Sequence, residues 1–354
     1  MKNLTLILAL FFLNISFSQD NFCCTSPDDP ECCSLNDNKD CCAERPDGHG
    51  PINLMGDHMH SKGDLMFSYH YMGMFMEGAL TGSEEISTET IFENYINSPE
   101  KMKMDMHILS LMFAPSDEIT LMLMANYTSK SMDIFTNTLE VFNTNSSGFG
   151  DISVMGLYKI MYEPKQAAHF NVGFSIPTGS IDQRDNTPMM NNTLLGYSMQ
   201  LGSGTFDVII GGTYFNQLEN FSWGAQTLYK SRIGKNSKHY TLGDRAEATI
   251  WSAFKVSKKL SLSTSINYYK LKNLEGYDSD LNSMMNPLVN SINSGRSQID
   301  FGIGSNYIIP STSLNKLRLS IQASYPLYQN VNGIQMKNTW SGVFGLKYSF
   351  KNTL

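Results

Sequence analysis

From Leu65 to Met76 the sequence alternates between two chemistries. Leu65, Phe67, Tyr69, Tyr71 and Phe75 fall on one parity, and Met66, Ser68, His70, Met72, Met74 and Met76 on the other. Side chains of a β-strand alternate faces, so this stretch reads as a strand with one aromatic face and one face of thioethers around an imidazole. The same period-two pattern recurs at 63–76, 101–114, 118–131, 151–163, 166–176, 198–215, 220–232, 245–256, 259–270, 297–308, 316–327 and 338–350. Short turns, such as Ala114–Asp117, Tyr162–Lys165, Asn216–Glu219, Val256–Lys259 and Pro310–Ser313, separate alternate pairs of segments. Longer polar loops, at 77–100, 132–150, 177–197, 233–244, 271–296 and 328–337, separate the others. An even number of such segments, with short and long connections in turn, predicts an all-β fold: a transmembrane antiparallel β-barrel of about 12 strands in a bacterial outer membrane, both termini periplasmic.

The faces sort accordingly. Leu121 and Leu123 oppose Met122 and Met124; Phe170, Val172 and Phe174 oppose His169, Asn171 and Ser175; Leu262 and Ile266 oppose Ser263 and Asn267. Lipid accepts only the first set of each pair, because Lys or Arg at the bilayer midplane costs roughly 2–4 kcal/mol. A soluble β-sandwich would leave these aromatic faces in water, and segments this long exceed the usual five or six residues of a globular strand. In the second segment the outward parity also holds Lys101, Lys103, Asp105 and His107, which places that end above the membrane.

Before the barrel, Lys2, the apolar run from Leu4 and Ser16-Phe-Ser18 predict a signal peptide over 1–18. Residues 19–61 form a periplasmic segment rich in Cys, His and Met, 62–350 the barrel, and 351–354 a short tail. The six cysteines come as three adjacent pairs, Cys23-Cys24, Cys32-Cys33 and Cys41-Cys42, in a polar stretch with little to bury. Two chemistries fit them: disulfides, favoured by an oxidising compartment, or thiolate binding of a soft metal. The net charge of −7 argues against a nucleic-acid partner.

The chain holds 22 methionines, and those of the first strands fall on the lumen parity. They are Met66, Met72, Met74 and Met76 with His70, then Met102, Met104, Met106 and Met112, then Met122 and Met124, then Met155 and Met161, with His169 on the fifth strand. Met55, His58, Met59 and His60 stand just before the first strand, beside Asp57. The later strands turn Lys230, Arg232, Arg245, Glu247, Arg296, Asp300, Arg318 and Lys347 inward, so a thioether wall faces a charged one. Thioethers bind Cu(I) and Ag(I) and reject hard cations, so passage of a soft metal ion, with copper as the ligand and periplasmic metal-handling proteins as partners, is one expectation. Passage of small apolar or aromatic compounds over a greasy wall is the second, and simple filling of a narrow lumen by a flexible side chain the third. No nucleophile elbow, phosphate loop or HExxH motif appears, and the chain is expected not to be an enzyme; a barrel hydrolase would need a rim Ser-His or Asp-His pair.

Met55-Gly-Asp-His-Met-His60, Lys62-Gly63 and Ser68-Tyr-His-Tyr-Met72 resemble the outer-membrane barrels grouped as the "MetA-pathway of phenol degradation" family. Ser147-Gly-Phe-Gly-Asp151, Leu201-Gly-Ser-Gly-Thr205, Trp223-Gly-Ala-Gln226 and Leu242-Gly-Asp-Arg245 extend the resemblance over roughly residues 55–350. It implies a barrel that passes small, often apolar, compounds. The Met and His content is also similar to copper-resistance outer-membrane protein B, although the repeated Met-Asp-His-Ser motif of that group is absent.

Overall fold

The computed structural model describes residues 45–138, 140–163, 165–309 and 317–350. The signal peptide, all six cysteines and the Pro310–Ser313 turn lie outside them. The strands, in chain order, are β1 (Leu65–Gly82), the short β2 (Glu84–Ile86), β3 (Asn97–Phe113), β4 (Ile119–Thr136), β5 (Val141–Phe149), β6 (Ile152–Glu163) and β7 (Gln166–Ile176). Then come the two-residue β8 (Arg184–Asp185) and β9 (Thr193–Leu194), β10 (Phe206–Gln217), β11 (Phe221–Ile233), the two-residue β12 (Tyr240–Thr241) and β13 (Arg245–Lys255). β14 (Leu260–Leu271), the two-residue β15 (Glu275–Gly276), β16 (Arg296–Ile308) and β17 (Leu317–Phe350) complete the set.

Each long strand pairs antiparallel with its neighbours, and β17 closes the ring on β1 from Leu65↔Phe350 to Gly82↔Val331. β17 cannot be one straight strand, because 34 residues would span roughly 110 Å. Its first arm pairs β16 through Val331, and its second arm pairs β1. The chain reverses at Asn332-Gly333, where Gly333 has φ 64°, the left-handed geometry of a tight Asn-Gly hairpin turn. β5 and β6 both pair β4 and act as one stave broken at Gly150-Asp151. Counting β17 as two staves and β5 with β6 as one, twelve staves surround the lumen, an even number as all-antiparallel closure requires.

The strands stand taller than their sequence pattern predicts. Loops 77–100, 132–150 and 328–337 are largely strand, because above the membrane the outward face is polar too and the alternation that betrays a strand weakens. The predicted strand 198–215 starts instead at Phe206. Residues 197–205 turn into the lumen, where both Asp151 carboxylate oxygens accept hydrogen bonds, from Gly179 N (2.9 Å) and from Ser203 N and Oγ (2.9 and 2.7 Å).

The apolar parity faces outward all round, with Leu121, Phe170, Val172, Ile250, Leu262, Ile303 and Ile321 exposed. The polar parity is buried, with Thr120, Asn171, Ser222, Gln226, Ser261 and Ser320 inside. This inversion is what a lipid-facing barrel demands. Ile250, 62% exposed midway along β13, tests it. Ile250→Lys is expected to lower unfolding free energy in lipid vesicles by about 2–4 kcal/mol in a denaturant titration. A loss under about 0.5 kcal/mol, normal for an exposed site in water, would contradict the lipid-facing assignment.

Candidate functional site

Residues 45–61, whose sequence predicts a periplasmic segment, run inside the barrel at the end of the short turns. The barrel wall holds this plug mostly by donating to its carbonyls. Arg318 donates to Arg45 O and Pro46 O (both 2.9 Å), Ser261 to Pro46 O (2.8 Å) and Ser222 to Asp47 O (2.7 Å). His169 Nε2 donates to Gly56 O (3.0 Å), and Gln226 to Met55 O and Gly56 O (3.1 and 3.2 Å). Gly56, at φ 64°, adopts a backbone conformation that L side chains rarely take, and its carbonyl meets both donors. Gly345 leaves the notch that Ile52 fills; a Cβ there would stand 2.6 Å from Ile52 Cδ1.

The plug's polar residues converge. Asp57 Oδ1 accepts from His58 Nδ1 (2.9 Å), and Oδ2 accepts from Gly50 N (2.9 Å). His49 Nδ1 lies 3.6 Å from Asp57 Oδ2, beyond hydrogen-bond reach. The His49 and His58 rings stand edge-on at 4.0 Å between centroids, and His58 and His60 at 4.8 Å. Burial, together with the Arg318 guanidinium and His58, holds the His49 imidazole well below its ordinary pKa. Burial and then His58 hold His60 down at about 3. Burial pushes the Asp57 carboxyl up, but Lys347 and His58 outweigh it and keep Asp57 ionised. His49 Nδ1, His58 Nε2 and His60 Nε2 are buried with no hydrogen-bond partner among the described residues. An unmade buried hydrogen bond costs about 1–3 kcal/mol, so three together form an unusual cluster.

The methionines form a ladder. Met66, Met112, Met122 and Met155 are direct cross-strand partners in one row over β1, β3, β4 and β6. This row is buried, and Met55, Met59 and Met124 pack against it. Two rungs follow, Met72↔Met106 and Met74↔Met104, and then a second row, Met76↔Met102↔Met132, joined by Met199 and Met336. Between the rows and the folded outer loops lies a cavity of about 580 Å³. Met74, Met76, Met102, Met104 and Met106 of β1 and β3 line it, with Met336, and Lys230, Arg232, Arg245, Lys272 and Arg296 line it from the later strands, with Lys130 of β4 beside Met104. Lys130 reaches up to Ser198 O and Gln200 O (2.8 and 2.6 Å), tying a loop over the opening.

The predicted site residues therefore separate into three groups. His58, His60 and His169 belong to the plug and its contacts. The thioether cavity takes Met74, Met76, Met102, Met104 and Met106, whereas Met66, Met122 and Met155 are core. His70 is buried between the plug and Lys347's strand, with neither ring nitrogen bonded among the described residues. Three contributors escape the sequence pattern. His49 sits between two glycines in a stretch that reads as unstructured, and Met132 and Met336 lie in segments that read as loops.

Family and structural comparisons agree with this architecture. The family model for "MetA-pathway of phenol degradation" matches residues 78–307, and the chain belongs to that family. The crystal structure of an outer membrane channel from Pseudomonas putida F1 is similar with a TM-score of 0.59 at 15% identity, over 84% of this chain and 100% of that one. The transport unit of the autotransporter AIDA-I from Escherichia coli is similar at 12% identity with a TM-score of 0.47, over 84% and 94% of the two chains. A FadL homologue from Pseudomonas aeruginosa is similar at 9% identity with a TM-score of 0.43, over 86% and 98%. No curated protein matches the chain. The protein is thus a bacterial outer-membrane β-barrel of that family.

Arg318→Met tests the plug's anchorage. It removes two hydrogen bonds to a charged donor, each worth about 1.5–3 kcal/mol, and leaves the barrel ladder intact. In a background with the six cysteines replaced by Ser, an Ile52→Cys probe is expected to react with a thiol reagent at least about tenfold faster when Arg318 is Met, since tenfold needs only about 1.4 kcal/mol. Equal labelling rates would show that Arg318 does not hold the plug.

Proposed function

We propose that the barrel takes up small organic anions with an apolar, preferably aromatic, body from the outer face of the membrane. The supporting observation is the mixed lining of the cavity, six thioethers and six cations. Methionine offers a deformable apolar surface with favourable sulfur–aromatic contacts, and Lys and Arg supply the counter-charge for a carboxylate or sulfonate. Arg232, Arg245 and Lys272 are paired with Asp207, Glu247 and Asp244. Lys130, Lys230 and Arg296 have no carboxylate within ion-pair distance among the described residues, so the lining keeps positive charge for a solute. The plug stands beneath the cavity and must move for passage.

Transit of Cu(I) or Ag(I) along the methionines is the second reading. The observation favouring it is the register that sets Met72 against Met106, Met74 against Met104 and Met76 against Met102. The charge balance of the cavity weighs against it, because Asp151, the one lining carboxylate among the described residues, already accepts from Gly179 and Ser203. A free cation meets repulsion there, and an organic anion attraction.

One pair of variants separates the readings. Replacing Met72, Met74, Met104 and Met106 together by Leu keeps apolar volume and removes the soft donors. Calorimetric binding of benzenesulfonate is expected to survive that change and to weaken about tenfold, or about 1.4 kcal/mol, in Lys230→Gln/Arg296→Gln. Phenyltrimethylammonium should not bind. A wild type that binds Cu(I) with blocked cysteines, loses it in the Leu variant and ignores benzenesulfonate would transfer the assignment to the metal.

A further inference from the structure

We propose that His49, Asp57 and His58, with His60 beside them, form a binding site inside the plug for one imidazole-preferring divalent metal ion, zinc(II), copper(II) or nickel(II). One donor atom from each of His49, Asp57 and His58 falls within 4.8 Å of the others. Donors on a single tetrahedral ion with bonds of about 2.1 Å stand roughly 3.4 Å apart, so modest side-chain rotation closes the set. His58 Nδ1 stands 2.9 Å from Asp57 Oδ1 and His49 Nδ1 3.6 Å from Oδ2, so an ion seated at this carboxylate meets both imidazoles, with the His58 ring proton carried on Nε2 instead. His49 Nδ1 is buried with no hydrogen-bond partner among the described residues. His60 Nε2 is likewise buried and unpartnered, on the ring that packs edge-on against His58.

The surroundings select the metal. The donor atoms grouped here are imidazole nitrogens and a carboxylate oxygen, a set that suits borderline dications better than Cu(I). Lys347 Nζ lies 3.5 Å from Asp57 Oδ1. An ion held by charge alone, such as Ca²⁺ or Mg²⁺, gains little from one carboxylate that already has a lysine beside it. An ion bound through imidazole loses less. A cavity of about 50 Å³ adjoins Asp57, His58 and Met59 and extends to Glu163, Lys165 and Gln166 at a short turn. It has room for about one water-sized ligand and leads from the periplasmic end. The plug's anchors hold the ligands in place before any ion arrives, and this site stands independently of what the upper cavity carries.

The test uses the mature full-length protein in detergent, its six cysteines alkylated. Zn²⁺ is titrated in competition with a chromophoric chelator, and Cu²⁺ is followed by electron paramagnetic resonance. The expected result is one ion per chain, nitrogen hyperfine structure from at least two imidazoles, and no displacement by excess Ca²⁺. His49→Phe and His58→Gln should each weaken Zn²⁺ binding at least about tenfold, and Lys347→Gln should tighten it several-fold. Heat-modifiable mobility on gels confirms that each variant is folded. Wild type that fails to compete for Zn²⁺, or a folded His49→Phe/His58→Gln double variant with unchanged affinity, would overturn the site.

Discussion

Hydrocarbon leaves no backbone donor or acceptor unpaired, and the ladder between β1 and the second arm of β17 is where the ring closes under that demand. Closure depends on the Asn332-Gly333 reversal, because without two arms in β17 the staves would number eleven and two neighbours would have to run parallel. Everything else follows from having a closed wall. Period-two alternation then means lipid outside and lumen inside, and each inward residue is enclosed whether or not it is apolar. A lumen ringed by twelve staves is too wide for its own side chains to fill completely, so the plug, the methionine rows and the inward loops share the space.

Those three fillings do different work. The plug is held mainly at its carbonyls by Arg318, Ser261, Ser222, His169 and Gln226, so its grip does not depend on the identity of most plug side chains. Its own side chains are thereby free to form the His49–Asp57–His58–His60 cluster. The lower methionine row is sealed core. The upper rungs are not sealed, since they border open volume facing a cationic wall. One residue type thus serves as packing at one height and as cavity lining at another, and only its height in the barrel distinguishes the two.

Much of this was legible in the chain. Alternation from Leu65 to Met76, Leu121 against Met122 and Phe170 against His169 is enough to expect a barrel and to assign its faces. The charged wall of Lys230, Arg232, Arg245 and Arg296 opposite the methionines also follows from parity alone. What parity cannot supply is height. Met132 and Met336 lie where the outward face carries polar residues, so they read as loop, and Phe206 opens a strand whose pattern begins eight residues earlier because Leu201-Gly-Ser-Gly turns inward. His49 was hidden for a different reason. The plug has no periodicity, since it is shaped by the barrel around it and not by its own pattern.

The arrangement of plug and cavity also explains why two recognition chemistries can coexist in one lumen. The plug cluster stands beside the buried Met66–Met155 row, against which Met55 and Met59 pack, and the cavity reaches from the rungs to the folded outer loops. On β1 eight residues separate Met66 from Met74, about 25 Å along the strand, whereas on β6 the cavity-lining Ser153 is two residues from Met155. Tightening His49 and His58 onto one ion ties Gly48–Gly50 to Asp57–His58, shortening the free chain between Arg318's grip at Pro46 and His169's grip at Gly56. With the proposed ion in place, a plug cross-linked in this way would have fewer ways to leave the lumen, and the ion would oppose the proposed passage from the top.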